Sequence, residues 1–430
     1  MNSFEFENLV LLVGTNPLQD YIVAYYFMEV NPCLKNIWLI HSERTRYQEG
    51  TGDYAANLKN LFNEKFPGRF EIITDGLQVK DVALGSSISD TITGHVIKKM
   101  KNGASVHLDY TGGTKAMSTQ SFATFHDNEN RLKMSYSYLD PHRHQIVVNH
   151  EDIPEGDLRS IVKISFSELI ALHGFERSND DTSSRLSMFR EALDAFYLLI
   201  SEKRISRFYD AKQGGYNRNV FFNRHNSILN PVEAEANFKE VYSKTPVNSE
   251  FAEIVKNMPV DRRIFDSAGN FNNRISKANL KEAVKGFLDG QWLELYVFDM
   301  LSKKFASRYE VLMDWEIRKP DWGSNKFQLD VIVMNSYQLA GVSCTISGSK
   351  TLCKSKGFEI LLRTQQIGGS QAKSVLVTGM DTQGEVDLLQ SELLNNTGTR
   401  ASSIKVVGME SWDRTFLERQ VEDFFENREG

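Results

Sequence analysis

Residues 8–14 read Asn-Leu-Val-Leu-Leu-Val-Gly, a continuous apolar run closed by glycine. Such a run predicts a strand buried on both faces. Thr15-Asn16-Pro17 follows. Asparagine suits a helix N-cap and proline the first helical position, so a helix is expected through Gln19, Tyr21, Ile22, Tyr25, Tyr26 and Phe27. The pattern then repeats: a strand over 37–41, a helix over 54–66, a strand over 70–74 and a helix over 88–100. Asp90 stands near the start of that helix and Lys98, Lys99 and Lys101 near its end, as the helix dipole prefers. Asn102-Gly103 stops it. A fourth strand through Val106, Leu108 and Tyr110 runs into a helix over 117–126. Residues 134–138 and 145–148 read as a strand pair around Asp140-Pro141-His142. Four strand–helix alternations predict an α/β fold with a parallel, doubly wound sheet.

The rest of the chain changes character. Residues 151–275 read as mostly helical, with no internal repeat. Residues 184–201 have amphipathic spacing, with Ser184 as N-cap and Met188, Phe189, Leu193, Phe196, Leu198 and Leu199 on the apolar side. Residues 209–230 are rich in Gly, Asn and Arg and include Tyr216, Arg218, Phe221, Phe222 and Arg224. Basic residues among aromatics suit single-stranded nucleic acid; a polar surface segment is the plainer alternative. After residue 275 a long helix over 281–305 is expected, interrupted near Asp289-Gly290. Strands follow at 309–317, 327–333 and 338–345, the last two joined by a turn at Asn335-Ser336. A helix over 358–366, a strand over 374–378, a helix over 385–394, a strand over 404–407 and a helix over 412–425 complete the chain.

Two turns carry candidate chemistry. Gly14-Thr15-Asn16-Pro17 with Gln19 follows the first strand. Thr111-Gly112-Gly113-Thr114-Lys115, with Ser118, follows the fourth. Adjacent glycines allow a tight turn that presents several backbone N–H groups. The helix start adds partial positive charge, and Lys115 a full one. Both turns fall at carboxyl ends of parallel strands, where ligands of such sheets bind. An anionic ligand is expected. The spacing is not that of a Walker motif.

Charged residues at 25% and hydrophobic ones at 41% mark an ordered globular chain. A net charge of -6 argues against a wholly basic nucleic-acid coat and leaves local basic patches open. Cys33, Cys344 and Cys353 are too few and too irregular for a disulfide framework or a zinc site, so a reducing, cytoplasmic setting is expected. The acidic start, MNSFEFEN, is unlike a signal peptide. No apolar run reaches membrane-spanning length.

Residues 1–150, through these two turn motifs, resemble a CARF domain, the cyclic-oligoadenylate sensor of type III CRISPR systems. The resemblance implies a homodimer holding one ring-shaped ligand across its two-fold axis. The ligand contacts implied are Gly14, Thr15, Asn16, Pro17, Gln19, Thr111, Gly112, Gly113, Thr114, Lys115 and Ser118. The C-terminal order of elements resembles the PD-(D/E)xK nuclease fold, with Trp292-Leu293-Glu294 on the helix and Gln328-Leu329-Asp330-Val331 on the central hairpin. Together the two resemble the CARF-nuclease effectors. Three segments are implied: a sensor domain over 1–150, a helical linking region over 151–275 and a nuclease-like domain over 276–430.

In that pattern the carboxylates hold Mg²⁺ or Mn²⁺, so Glu294 and Asp330 are the expected metal ligands. The chain departs from it one strand later. Ser343-Cys344-Thr345 stands where the family carries an acidic or small residue, any residue, and lysine. Lys350, Lys354 or Lys356 is then expected to replace the lysine, and Glu294, Asp330 and Lys350 form the expected catalytic set. Three functions stay open. One is a cyclic-oligoadenylate-activated nuclease acting on RNA or DNA. Another is a ligand-sensing regulatory or nucleic-acid-binding protein with a degenerate nuclease fold. The third is a sensor rim that also cleaves its own ligand.

Overall fold

The computed structural model describes residues 4–149, 151–152, 157–180, 182–321, 323, 325–399 and 401–426. Met1 to Ser3 of the acidic start, and the segment boundary expected at residue 150, lie outside them. Among the described residues no helix is long and apolar enough to cross a membrane.

The first strand, Asn8–Leu12, is buried at every residue and lies parallel between Asn36–Ser42 and Ser105–Asp109. Glu71–Ile73 and Lys133–Asp140 extend the parallel sheet on either side. The far edge turns antiparallel through Gln145–Val148 and Glu151–Asp152. Side chains of the first strand divide between two cores. Leu9, Leu11 and Val13 pack with Tyr21, Phe27 and Phe62, while Val10 and Leu12 pack with Ile88, Leu108 and Phe125. The continuous apolar run is thus explained by helices on both faces.

The second sheet runs, in order, Ile404–Val407, Lys373–Thr378, Gln338–Thr345, Lys326–Asn335, Glu310–Arg318 and Glu176–Arg177. Its first three strands are parallel and the rest antiparallel. One face shares the core of the first domain: Leu329, Leu339 and Ile360 pack in one cluster with Tyr21 and Phe27. The other face is covered by the middle region. Phe189, Phe196, Phe287 and Trp292 pack with Val331, Val333 and Val342. The middle region therefore acts as a wall of the second sheet.

Several elements differ from the sequence expectation. The helix expected over 184–201 is two, Ser184–Met188 and Arg190–Ser201. They break at Phe189, whose buried ring stacks on Phe287 at 4.4 Å. The helix expected over 88–100 begins at Gly85 and widens into a π turn at Ile92–Val96. The helix expected over 358–366 runs Lys350–Gly368. Gly357 inside it is matched by Leu393, whose Cδ1 would lie 2.6 Å from an added Cβ, so close packing offsets the poor helix propensity of glycine. The break at Asp289-Gly290 is as expected, with Gly290 at φ +125°.

The middle region also holds a structural repeat that its sequence does not announce. Phe222 bridges Ile228, and Phe265 bridges Phe271. Between each pair lies the same turn. Asn223 N donates to Ser227 O, and Asp266 N to Asn270 O, both at 2.9 Å. Asn223 Oδ1 accepts from His225 N and Ser227 N, and Asp266 Oδ1 from Ala268 N and Asn270 N. Asn226 and Gly269 hold the positive φ positions. We call these two turns fingers. Tyr216, Phe221 and Phe222 are buried in the core and offer no stacking platform.

If the middle region is a wall of the second domain, Phe196→Ala should weaken both together. Phe196 stacks on Trp292 at 3.9 Å, and removing such a ring costs about 3–5 kcal/mol. Hydrogen exchange should accelerate at Val331 and Val333 as well as in Arg190–Ser201. Unchanged protection of the sheet would refute the shared core.

Candidate functional site

Two loops meet on the carboxyl rim of the first sheet. Asn16 caps the helix Pro17–Val30, accepting from Leu18 N at 3.3 Å. Thr114 caps the helix Lys115–His126, accepting from Met117 N at 3.2 Å. The loops touch, for a Cβ on Gly14 would lie 3.0 Å from Gly113 N. A Cβ on Gly112 would lie 2.1 Å from Leu12 O and 2.7 Å from Asp20 Oδ1, so only glycine fits. Gly113 has φ +71°. Two helix N-termini thus start side by side on one rim, both with their positive ends there. Thr15, Thr114 and Lys115 are exposed on it.

The other hydroxyls of the rim build the loop. Thr111 Oγ1 accepts from Leu139 N at 2.7 Å, and Ser118 Oγ donates to the Gly112 and Thr114 carbonyls at 3.2 Å. Asn16 and Gln19 line a crevice shared with Tyr337, Gln338 and Gly369. A Cβ on Gly369 would lie 2.5 Å from Asn16 Nδ2. The first loop therefore abuts the C-terminal end of the helix Lys350–Gly368.

Beneath the rim lie two buried carboxyls. Asp109 accepts from Ser137 Oγ at 2.7 Å and from Thr111 N at 3.0 Å, yet burial pushes its pKa up to about 6. Burial, and then the nearby Asp109, holds Asp20 well above the usual carboxylate range. Asp20 Oδ2 has no hydrogen-bond partner among the described residues. His107 lies between Ser135 and Ser137, 2.7 Å from each hydroxyl. Burial lowers its pKa to about 3, so it is neutral.

The second constellation lies at the central hairpin. Asp330 Oδ2 accepts from Cys344 N at 2.7 Å and from Ser343 Oγ at 3.2 Å. The register pairs Met313 with Val331 and Trp315 with Leu329, which sets Asp314 opposite Asp330. Like charges directly opposite destabilise a sheet, and acids so placed are candidates for function. Glu294 joins them from the first turn of the helix Gln291–Phe305, and its buried Oε2 accepts no hydrogen bond among the described residues. Burial, Asp330 and Asp314, in that order, push Glu294 well above its usual range. Burial also raises Asp330, with Lys356 opposing the rise.

Lys356 Nζ lies 3.4 Å from Cys344 O, the carbonyl between Ser343 and Thr345. The structure does not bring Lys350 to the carboxylates: Lys350 and Lys354 both pair with Glu392. An open pocket of about 300 Å³ adjoins the site, lined by Gln328, Asp330, Ser343, Lys356 and Glu359 among others. Among the described residues no group of three or more His, Cys, Asp or Glu is already gathered to hold a metal ion. The donor set still fits one. Its oxygens are hard, and Glu294 Oε2 is buried without a donor.

No protein-family model and no curated protein sequence matches the chain. Solved structures do match in fold. Can2 from Sulfobacillus thermosulfidooxidans, in complex with cyclic tetra-adenylate (cA4), matches with a TM-score of 0.60 at 18% identity, over 97% of this chain and 99% of that one. The chain has the Can2 fold. Protein VC1899 from Vibrio cholerae matches with a TM-score of 0.55 at 12% identity, over 97% of this chain and 98% of that one. Both sheets and the middle region thus fall within a fold that these two structures share from end to end.

Asp314 escaped the sequence reading because nothing local marks it; the one signal is its place opposite Asp330 once the hairpin register is drawn. Lys356 stood among three candidates, and only the helix start at Lys350 separates them.

The buried acids give a pH prediction. Asp20 and Asp109 hold protons more tightly folded than unfolded. Stability is therefore lost as pH rises from about 4 through the raised folded values. Asp20→Asn should raise stability at pH 7.5, with the gain shrinking toward pH 4. Thermal denaturation across this range checks it; an Asn variant less stable than the parent at pH 7.5 would exclude the pair as a source of strain.

Proposed function

We propose that this chain is a cyclic-oligoadenylate-responsive nuclease that works as a homodimer, with the ring-shaped ligand on the paired sensor rims and nucleic acid at Glu294, Asp330 and Lys356. One observation carries the reading. Lys356 reaches the carbonyl between Ser343 and Thr345, restoring a cation beside Asp330 and Glu294 where the strand itself has none. Can2, which shares the fold, was solved with cyclic tetra-adenylate, and a repeated ring matches a two-fold protein.

Glu294 and Asp330, with Asp314 opposite, would hold Mg²⁺ or Mn²⁺. Such an ion supplies Lewis-acid stabilisation of charge at a phosphate. The chain's own groups do the rest. Lys356 places positive charge where an anionic phosphate oxygen or an attacking water must sit. Asp330 is itself oriented by Cys344 N and Ser343 Oγ. On the rim, the two helix N-termini and Lys115 provide the anion site.

The test is incubation of the purified protein with labelled RNA and with single- and double-stranded DNA, with Mg²⁺ or Mn²⁺, with and without cA4. Ligand-dependent cleavage is expected. Asp330→Asn should lower it by at least about 100-fold, some 3 kcal/mol of transition-state stabilisation, with cA4 affinity unchanged. Lys356→Gln should cost about 10- to 100-fold and Lys350→Gln less than about threefold, since the exposed pair with Glu392 lies outside the site. Equal activity of parent and Asp330→Asn would sink the assignment. A parent that binds cA4 but never cleaves would favour a regulatory protein.

Coupling has its own prediction. The helix Lys350–Gly368 touches the sensor loop at one end and carries Lys356 toward the other. Ligand control requires tighter binding to the active arrangement. Asn16→Ala should therefore loosen the link, leaving cA4 binding within about tenfold of the parent while lowering cA4 stimulation of cleavage by a larger factor. Loss of stimulation in strict proportion to loss of binding would show that Asn16 acts on the ligand alone.

A further inference from the structure

The two fingers of the middle region share one turn and one hydrogen-bond pattern, so each serves as a control for the other. At the two positions after the turn-forming Asn223 and Asp266, the first finger carries Arg224 and His225 and the second Ser267 and Ala268. The turn is built by Asn223 or Asp266 and by the positive-φ residue. It makes no demand on the tip, as Ser267 and Ala268 prove. Arg224 and His225 are therefore not explained by folding.

Nor are they explained by ion pairing. Several arginines of this region meet acids: Arg190 pairs with Asp299, Arg204 with Glu250 and Arg262 with Glu282. Arg224 and His225 are exposed, and among the described residues Arg224 pairs with no carboxylate. Its Nε donates to His225 Nε2 at 3.1 Å.

The fingers also differ in where they are fastened. Arg218 sits over the Phe222 ring at 3.9 Å, bonds the Asn226 side chain of the first finger, and pairs with Asp289 at 2.6 Å. Asp289 and Gly290 immediately precede the helix whose first turn carries Glu294. The first finger is thus tied to the backbone that places a candidate catalytic carboxylate. The second finger is preceded by Arg262, which pairs with Glu282 on a different helix, Lys277–Ala283.

We propose that the first finger grips the sugar–phosphate backbone of the nucleic acid, with Arg224 and His225 making the contact. This rests on the nucleic-acid part of the reading above. A guanidinium fork suits phosphate oxygens, and such contacts position a strand without reading its sequence. Tied to Asp289, the finger would set the strand's path relative to Glu294.

The test uses the full chain with Glu294→Gln, so that bound oligonucleotide stays intact. Fluorescein-labelled single-stranded RNA, single-stranded DNA and duplex DNA are titrated by anisotropy, with cA4 present, between about 50 and 200 mM salt. Arg224→Ser with His225→Ala, which copies the second tip, should weaken binding about 5- to 20-fold and flatten the log–log salt dependence by about 1–2. The melting temperature and cA4 affinity should stay at parent values. Ser267→Ala in the second finger should change nothing. Unchanged affinity in the finger variant, equal loss in Ser267→Ala, or no binding of any oligonucleotide by the parent overturns the proposal. Binding that depends on the finger in a protein that never cleaves would leave the proposal standing while the nuclease reading fails. Cleavage with a dispensable finger would do the reverse.

Discussion

At Asp314 the backbone turns to φ +52°, a left-handed conformation that costs an L-residue about 1–2 kcal/mol. Two strands change face there. On Glu310–Arg318, Val311 and Met313 pack toward the middle-region core, whereas Trp315 and Ile317 pack toward the core shared with the first sheet. On Lys326–Asn335, Phe327 and Leu329 pack toward the first sheet, and Val331 and Val333 toward the middle region. Odd-numbered residues swap cores at 314 on one strand and at 330 on the other, with the pairing register unbroken on either side. The acidic pair occupies the crossover. There Asp330 meets Glu294, Lys356 and the pocket.

The strained residue is held by long-range bonds. Asn179 Nδ2 donates to Asp314 O at 2.6 Å, and Asn179 Oδ1 accepts from Glu316 N at 2.9 Å. That side chain replaces the ladder hydrogen bonds lost at the twist. Gln328 Nε2 donates to Asp314 Oδ1 at 2.7 Å. The short strand Glu176–Arg177 brings Asn179 to this place. The segment between the two sheets thus acts on the carboxylate site twice, through Asn179 on one side and through Arg218 and Asp289 on the other.

What the sequence revealed follows from how local each cause is. The turn chemistry of Asn16-Pro17, Gly112-Gly113 and Asp289-Gly290 is written in neighbouring residues, and those turns fall where expected. So do the longer strands of both sheets, whose apolar runs are short and cleanly bounded, whereas the two-residue strands Gln78–Val79, Glu151–Asp152 and Glu176–Arg177, too short for a pattern, were not expected. The start of the helix at Lys350 was hidden, because Lys-Thr-Leu-Cys-Lys-Ser-Lys-Gly has little helical periodicity. Its hold comes from Cys353 against Thr378, at 2.9 Å, and from Leu393 against Gly357, all distant in the chain. The positive φ of Asp314 depends on Asn179 and was equally hidden. The two fingers were invisible as a repeat, since their common features are a turn-forming Asn or Asp, a positive-φ Asn or Gly and an aromatic start, too few to stand out in a segment rich in all of them.

Moving a lysine from strand to helix changes what it does. A lysine two residues along the strand from an acid would hold its place relative to Asp330 by the hydrogen bonds of the sheet. Lys356 instead rides on a 19-residue helix, about 28 Å long at 1.5 Å per residue, which packs on the sheet by side chains alone. Small shears of a packed helix cost far less than breaking a strand ladder. The distance from ammonium to carboxylates thus becomes a function of helix position. The far end of the same helix leads into Gly369, where an added Cβ would lie 2.5 Å from Asn16 Nδ2 of the first loop. A strand lysine would leave the site assembled whether or not a ligand were bound. On the proposed reading, a helix lysine would make its assembly depend on where the loop at Asn16 stands, which is the physical requirement for a ligand to control the chemistry.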